Sequence, residues 1–167
     1  LIFSFKLLSM QKQKHIIISA LGPDKPGIVS KLSKVITDSK SNISESRMVK
    51  LGGDFTMMIL ASVSEKNMDS LVQNLNEITE LTIEIHETNL GDDEVERGEA
   101  SIVLSGTDNE GLVYSLTEKL SEHNINIIEM NTGVVNAPMS GATLFLLNAL
   151  VSYNKNQLEN IKKELIK

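Results

Sequence analysis

Gly22-Pro-Asp-Lys-Pro-Gly-Ile-Val29 is repeated 84 residues later as Gly106-Thr-Asp-Asn-Glu-Gly-Leu-Val113. The register continues without a gap to Asn42-Ile43, which aligns with Asn126-Ile127. An ungapped match over such a stretch indicates an internal duplication. The chain is therefore predicted to contain one structural unit used twice.

The hydrophobic pattern of the first copy predicts the order βαββαβ. Short apolar runs rich in β-branched residues predict strands, and apolar residues at helical spacing predict amphipathic helices. Pro26 is predicted at the first helical position, where no N–H is needed, and Gly52-Gly53 is predicted as a hairpin turn. The predicted strands are His15–Leu21, Asn42–Leu51, Phe55–Ser64 and Leu81–Glu87, and the predicted helices carry apolar faces along Ile28–Ile36 and Met68–Ile78.

The second copy follows the same order but stops before a fourth strand. Its predicted strands are Ala100–Ser105, Ile125–Val135 and Ala142–Ser152, with helices at Leu112–His123 and Lys155–Leu165 and a turn at Pro138–Gly141. The predicted class is α+β, with two ferredoxin-like βαββαβ domains whose antiparallel sheets carry helices on one face. The predicted divisions are an N-terminal extension (1–14), a first domain (15–90), a polar linker (91–98) and a second domain (99–167) that lacks its last strand.

Two surfaces of the predicted fold, an apolar sheet face and an unpaired strand edge, are expected to be buried by another domain, chain or segment. The third strand of each copy is apolar on both sides, whereas the helices cover one side only, so packing of domain on domain or chain on chain is expected. A homo-oligomer, in the form of a symmetric dimer or larger, follows from that expectation. Without a fourth strand, Ala100–Ser105 also becomes a sheet edge, for which a strand from another domain or chain is preferred over the N-terminal segment.

Composition excludes several classes of function. The absence of cysteine rules out disulfides, thiolate metal sites and cysteine nucleophiles, and it fits the cytoplasm. The three histidines lack metal-ligand spacing and no nucleophile elbow is present, so no catalytic residue, metal or cofactor is predicted. The net charge of −6 comes entirely from residues 91–167, which argues against direct nucleic-acid binding. No apolar run is long enough for a membrane span, and residues 1–9 before Met10 lack the features of a signal peptide.

The repeated loop has two interpretations that the residues alone leave open. The spacing of Gly22 and Gly27 is similar to that of a phosphate-binding loop, but Ile28-Val29 stands where such a loop requires Lys-Ser/Thr. One remaining interpretation is a tight turn that needs glycine. The other is a site where helix N–H groups bind a carboxylate while Asp24 binds an ammonium group, as a zwitterionic amino acid would require. Asn42 is interpreted first as a turn residue that caps the preceding helix.

Leu21-Gly-Pro-Asp-Lys-Pro-Gly-Ile-Val29, together with Asn42-Ile-Ser-Glu-Ser-Arg47, resembles the ACT domain family. The resemblance implies an amino acid bound between ACT domains, with contacts from the first loop of one domain and the second strand of its neighbour. It departs from the family at Glu110, which stands in place of proline and adds negative charge to the second loop. The implied site residues are Asp24, Pro26, Gly27, Ile28 and Asn42 in the first copy and Asp108, Gly111, Leu112 and Asn126 in the second.

The same resemblance implies an amino acid-responsive regulatory protein rather than an enzyme. Its expected ligand is glycine or a similar small amino acid. Its expected partner is another protein, such as a DNA-binding activator, so that the chain acts as a transcriptional co-regulator. One alternative is a regulatory subunit of an amino acid biosynthetic enzyme, such as the small subunit of acetolactate synthase. A second alternative is an interaction module that binds no small ligand.

Overall fold

The computed structural model describes residues 12–90, 97–107, 109–136 and 143–157. The chain divides into two compact units, Leu1–Gly91 and Asp92–Lys167, called here the first and second units. The first unit consists of β1 (Gln13–Pro23), α1 (Ile28–Asp38), β2 (Asn42–Leu51), β3 (Asp54–Ser64), a 3-10 turn (Glu65–Asn67), α2 (Met68–Asn76) and β4 (Thr82–Thr88). The second unit consists of β5 (Arg97–Thr107), α3 (Leu112–Glu122), β6 (Asn126–Asn136), β7 (Thr143–Asn154) and a 3-10 turn (Lys155–Gln157).

The first unit is an antiparallel sheet in the order β2-β3-β1-β4 with its helices on one face. Alternate residues of a strand point to the same face, and Ile16, Ile18 and Ala20 of β1 are accordingly all buried beneath the helices. In α1, Leu32 and Ile36 are four residues apart and are both fully buried. The predicted βαββαβ order of the first copy is confirmed.

The second unit repeats this plan with three strands, in the order β5-β7-β6. Its core contains Leu116 and Leu120 of α3 packed against Leu147, Ala149 and Val151 of β7. Within the described residues β5 pairs with β7 alone, so the three-stranded second sheet is confirmed. The turn predicted at Pro138–Gly141 lies outside the described residues, as does the helix predicted to follow Lys155 from residue 158 onward. The expected pairing of another strand with the outer edge of β5 stays a prediction.

The duplication extends to backbone irregularities that the sequence did not predict. The register of β2 shifts between Ile43 and Glu45, and that of β6 shifts at the equivalent positions Ile127 and Glu129. A bulge of this kind inserts one extra residue and bends the strand, so both second strands bend at the same place.

Asn42 does not cap α1, contrary to the first interpretation of that residue. Two residues after the end of α1, Lys40 adopts the left-handed conformation at φ 55°, and the Ser41 N–H donates to Ile36 O at 3.1 Å. This bonding satisfies the last helical carbonyls, so no side-chain cap is needed. Asn124 has the equivalent conformation after α3, with φ 54°. Asn42 is instead the first residue of β2.

Two predicted boundaries also differ from the structure. Pro26 lies in a turn, and α1 begins at Ile28, because Gly27 adopts a left-handed conformation that a helix cannot include. Strand β5 begins at Arg97, inside the segment predicted as a linker, because Arg97 pairs with Asn154 in the β5–β7 ladder.

Candidate functional site

The loop between β1 and α1, residues 24–27, turns into the helix through a single left-handed glycine. Gly27 has φ 89° and ψ −8°, and Gly111 repeats the conformation with φ 84° and ψ 2°. A Cβ at either position would meet nothing within 4 Å, so crowding does not select glycine there. The positive φ selects it, because an L-residue with a side chain pays about 1–2 kcal/mol for this conformation.

The start of α1 carries amide groups that no side chain caps. The Ile28 N–H donates to Lys25 O at 3.3 Å, and the Lys31 N–H donates to Gly27 O at 2.9 Å as the first regular helical bond. The first N–H groups of a helix have no partner within the helix and lie at the positive end of its dipole. This helix start is therefore chemically suited to an anionic group such as a carboxylate.

Asp24 is held by the hairpin between β2 and β3. Its Oδ2 lies 2.6 Å from Lys50 Nζ, and its backbone N–H donates to Gly53 O at 3.2 Å. The Asp24 side chain is 38% exposed, so its carboxylate is still open to solvent and to a ligand. Lys50 was not among the predicted site residues, and it reaches the loop because β3 lies beside β1 and brings this hairpin there.

The end of β1, just before the loop, rests against the turn that precedes β4. A Cβ on Gly22 would lie 2.6 Å from Glu80 O and 2.7 Å from Leu81 Cδ2, so glycine is required there for close packing. Lys31 of α1 reaches the same turn, with its Nζ 2.6 Å from Glu80 Oε2. The hydrogen bond from Lys31 lowers the pKa of the Glu80 carboxyl below its usual value. The loop is thus held by the hairpin through Asp24, and the strand and helix that flank it are held by the turn before β4.

The structure brings some of the predicted site residues together and separates others. Asp24, Pro26 and Gly27 form one loop, and Ile28 follows directly with its side chain buried in the core, so that it offers a ligand only its backbone. Asn42 pairs with Ser62, at the opposite end of the sheet from the loop. Eight residues of β3 separate those ends, a distance of about 27 Å at the usual rise per residue. Asn42 and Asp24 of one unit therefore cannot contact the same amino acid.

The second loop has the same backbone turn as the first, but its charged residues differ, since Glu110 stands in place of Pro26. Gly111 and Leu112 begin α3 as Gly27 and Ile28 begin α1, again without a side-chain cap. Asp108 lies outside the described residues. Asn126 opens β6 and pairs with Ser152, at the far end of its own sheet.

The described cavities lie away from the loop of the first unit. Three cavities of about 750, 580 and 280 Å³ have linings that include no residue from 22 to 28. The loop is therefore an open surface within its own unit rather than part of one of these cavities. Among the described residues, no group of three acidic or histidine side chains is placed to hold a metal ion, and no helix is long and apolar enough to cross a bilayer.

Comparison with known protein families assigns both copies of the repeat to the same family. The sequence profile of the ACT domain matches residues 14–87 and again 101–167. The glycine cleavage system transcriptional repressor of Escherichia coli (strain K12) is 37% identical over 57 residues, which cover 34% of this chain and 30% of that protein. The match thus spans less than a third of the repressor's length.

Two solved structures resemble the whole fold. A protein of unknown function from Galdieria sulphuraria is 27% identical with a TM-score of 0.82, over 92% of this chain and 90% of that one. A candidate glycine cleavage system transcriptional repressor has a TM-score of 0.67 at 20% identity, over 92% of this chain and 88% of that one. At that identity the second likeness concerns the fold alone.

Proposed function

The chain belongs to the ACT domain family, and from that membership we propose that it is a cytoplasmic regulatory protein that binds a small amino acid, glycine or a similar one. The observation that carries the proposal is the uncapped start of α1 beside the carboxylate of Asp24. A zwitterionic amino acid needs donors for its carboxylate and an anion for its ammonium group, and the loop offers both within four residues.

In the proposed complex the ligand carboxylate accepts hydrogen bonds from the amide groups at the start of α1. Gly27 lets the backbone approach because it carries no side chain. Asp24 binds the ammonium group. Asn42 contributes from the second strand of a neighbouring module, since its position at the far end of the sheet rules out a contact within the same unit.

The proposed output is regulatory and passes through a protein partner. Relatedness to a transcriptional repressor supports a co-regulator of transcription, with a DNA-binding activator as the partner. The net charge of −6 favours a protein partner over direct contact with nucleic acid. Amino acid binding would act by favouring one of two packings between modules, because a ligand shifts an equilibrium only through different affinities for its two states.

Self-association is part of the proposal, because apolar side chains lie exposed on the sheet faces away from the helices. Met58 is 54% exposed between two buried neighbours in β3, and Val103 of β5 is 73% exposed. Burying such surface between copies is favourable, and a symmetric dimer or larger assembly is expected. Analytical sedimentation at tens of micromolar should show it, with Met58→Lys weakening it. A monomer throughout that range would contradict this part of the proposal.

A thermal-shift screen of the full chain against the twenty amino acids tests ligand binding. A ligand at about 100 times its dissociation constant should stabilise the folded state by about 2.7 kcal/mol. A small amino acid is expected to give the largest shift, and the same compound as its methyl ester, which lacks the carboxylate, is expected to give none. The absence of a shift with every amino acid would contradict the proposal.

A further inference from the structure

Lys50 lies where β2 ends and approaches the loop from the face of the sheet that carries the helices. Lys50 is paired across the ladder with Phe55, which packs against the core beneath the helices. Paired residues of adjacent strands point to the same face, so the lysine side chain rises on the side where α1 begins. There its Nζ meets Asp24 Oδ2 at 2.6 Å.

This ion pair is too exposed to contribute much to the stability of the folded state. The side chains of Lys50 and Asp24 are 60% and 38% exposed, and exposed pairs contribute little to folding. The ion pair nevertheless distinguishes the two oxygens of the Asp24 carboxylate. Oδ2 is occupied by Lys50, while the structure records no partner for Oδ1 among the described residues. One oxygen of Asp24 is thus fixed, and the other is left for a ligand.

The lysine also offsets an electrostatic conflict in the loop. A carboxylate bound at the start of α1 would lie close to the negative charge of Asp24, and like charges a few ångströms apart repel. A cation 2.6 Å from Asp24 reduces that repulsion without removing the carboxylate that an ammonium group needs.

The sequence of the second copy has different charges at the aligned positions. At the 84-residue offset, Val134 stands where the first unit has Lys50, and Glu110 stands where it has Pro26. The second loop therefore carries Asp108 and Glu110 with no lysine, whereas the first carries Asp24 and Lys25 and is contacted by Lys50 of β2. A ligand carboxylate would be repelled in the second loop.

We propose that Lys50 is a positioning residue for the amino acid site: it holds Asp24 Oδ2 so that Oδ1 faces the ligand ammonium, and it confines binding to the first unit. This inference rests on the proposed function, since it names the residue that prepares the same site. One amino acid bound per chain follows from it.

The test is a double-mutant cycle measured by titrating glycine into the full chain. Lys50→Met should weaken glycine binding about tenfold, which is the scale of one charge-assisted contact. In an Asp24→Asn background the same change should alter affinity by less than about twofold, because the carboxylate through which Lys50 acts is gone. Lys50→Arg should restore binding only in part, because a guanidinium can pair with both carboxylate oxygens and so compete with the ligand for Oδ1.

Lys34→Met is the matched control, because Lys34 Nζ lies 2.6 Å from Asp38 Oδ2 in an ion pair of the same length, also exposed, toward the other end of α1. It should leave glycine affinity unchanged, and both methionine variants should melt within about 4 °C of the unchanged chain. Unchanged affinity in Lys50→Met, equal losses in both Asp24 backgrounds, or an equal loss in Lys34→Met would overturn the role of Lys50. A chain that binds no glycine at all would overturn the proposed glycine site, and this inference with it.

Discussion

Gly27→Val is expected to abolish the stabilisation by about 2.7 kcal/mol that a saturating amino acid gives to the unchanged chain. Valine is strongly disfavoured at a φ of 89°, so the loop must leave its left-handed conformation and turn the amide groups at the start of α1 away from the ligand. The helix itself should persist, because Leu32 and Ile36 still bury their side chains against the sheet. Thermal unfolding with and without glycine measures the loss, and far-UV circular dichroism checks the helix.

Gly111→Val provides the matched control for this variant. Gly111 has nearly the same backbone conformation, and its Cβ position is equally free of neighbours. Both variants should therefore pay a similar strain of about 1–2 kcal/mol without ligand. Only Gly27→Val should lose the ligand effect. Retention of the full effect in Gly27→Val, or its loss in Gly111→Val alone, would move the site away from the first loop.

Gly22→Val is expected to destabilise the first unit by about 3 kcal/mol, at the upper end of the cost of overpacking. The new Cβ would lie 2.6 Å from a backbone oxygen, Glu80 O, which cannot rotate away as a flexible side chain would. The turn before β4 must move instead, and the Lys31–Glu80 ion pair that joins it to α1 would be disturbed. Urea unfolding of the full chain measures the change in free energy.

Gly106→Val is the counterpart in the second unit. No described atom lies within 4 Å of a Cβ at Gly106, and valine is a good strand residue, so its stability should change by less than about 1 kcal/mol. Equal destabilisation by the two substitutions would show that the requirement for glycine is not close packing against Glu80.

The features that the sequence predicted well depend on short-range periodicity. The spacing of Ile28, Leu32 and Ile36 identified the buried face of α1, and the ungapped repeat identified the second unit. Glycine at the loop was also predictable, because a strand-to-helix turn often needs a positive φ.

The features that could not be predicted from the sequence depend on contacts between residues distant in the chain. Lys50 and Asp24 are separated by 26 residues and meet only because β3 lies beside β1. Asn42 was interpreted as a helix cap because its residue type favours turns, yet Lys40 takes the left-handed position that ends the helix. Pro26 was predicted as the first helical residue but lies two residues before α1 begins, since the sequence does not show which residue of the loop adopts the positive φ. The separation of Asn42 from the loop likewise required the strand register.

A titration of the ¹⁵N-labelled chain with glycine, followed by amide chemical shifts, shows directly whether the amino acid binds at the first loop. Glycine should cause saturable shifts of the amides from Asp24 to Ser30 apart from Pro26, which has no N–H, at the loop and the start of α1, with the equivalent amides of Gly111 to Tyr114 unaffected. Amide shifts that are absent at saturating glycine, or that cluster at Gly111 and spare Gly27, would exclude the first loop as the amino acid site.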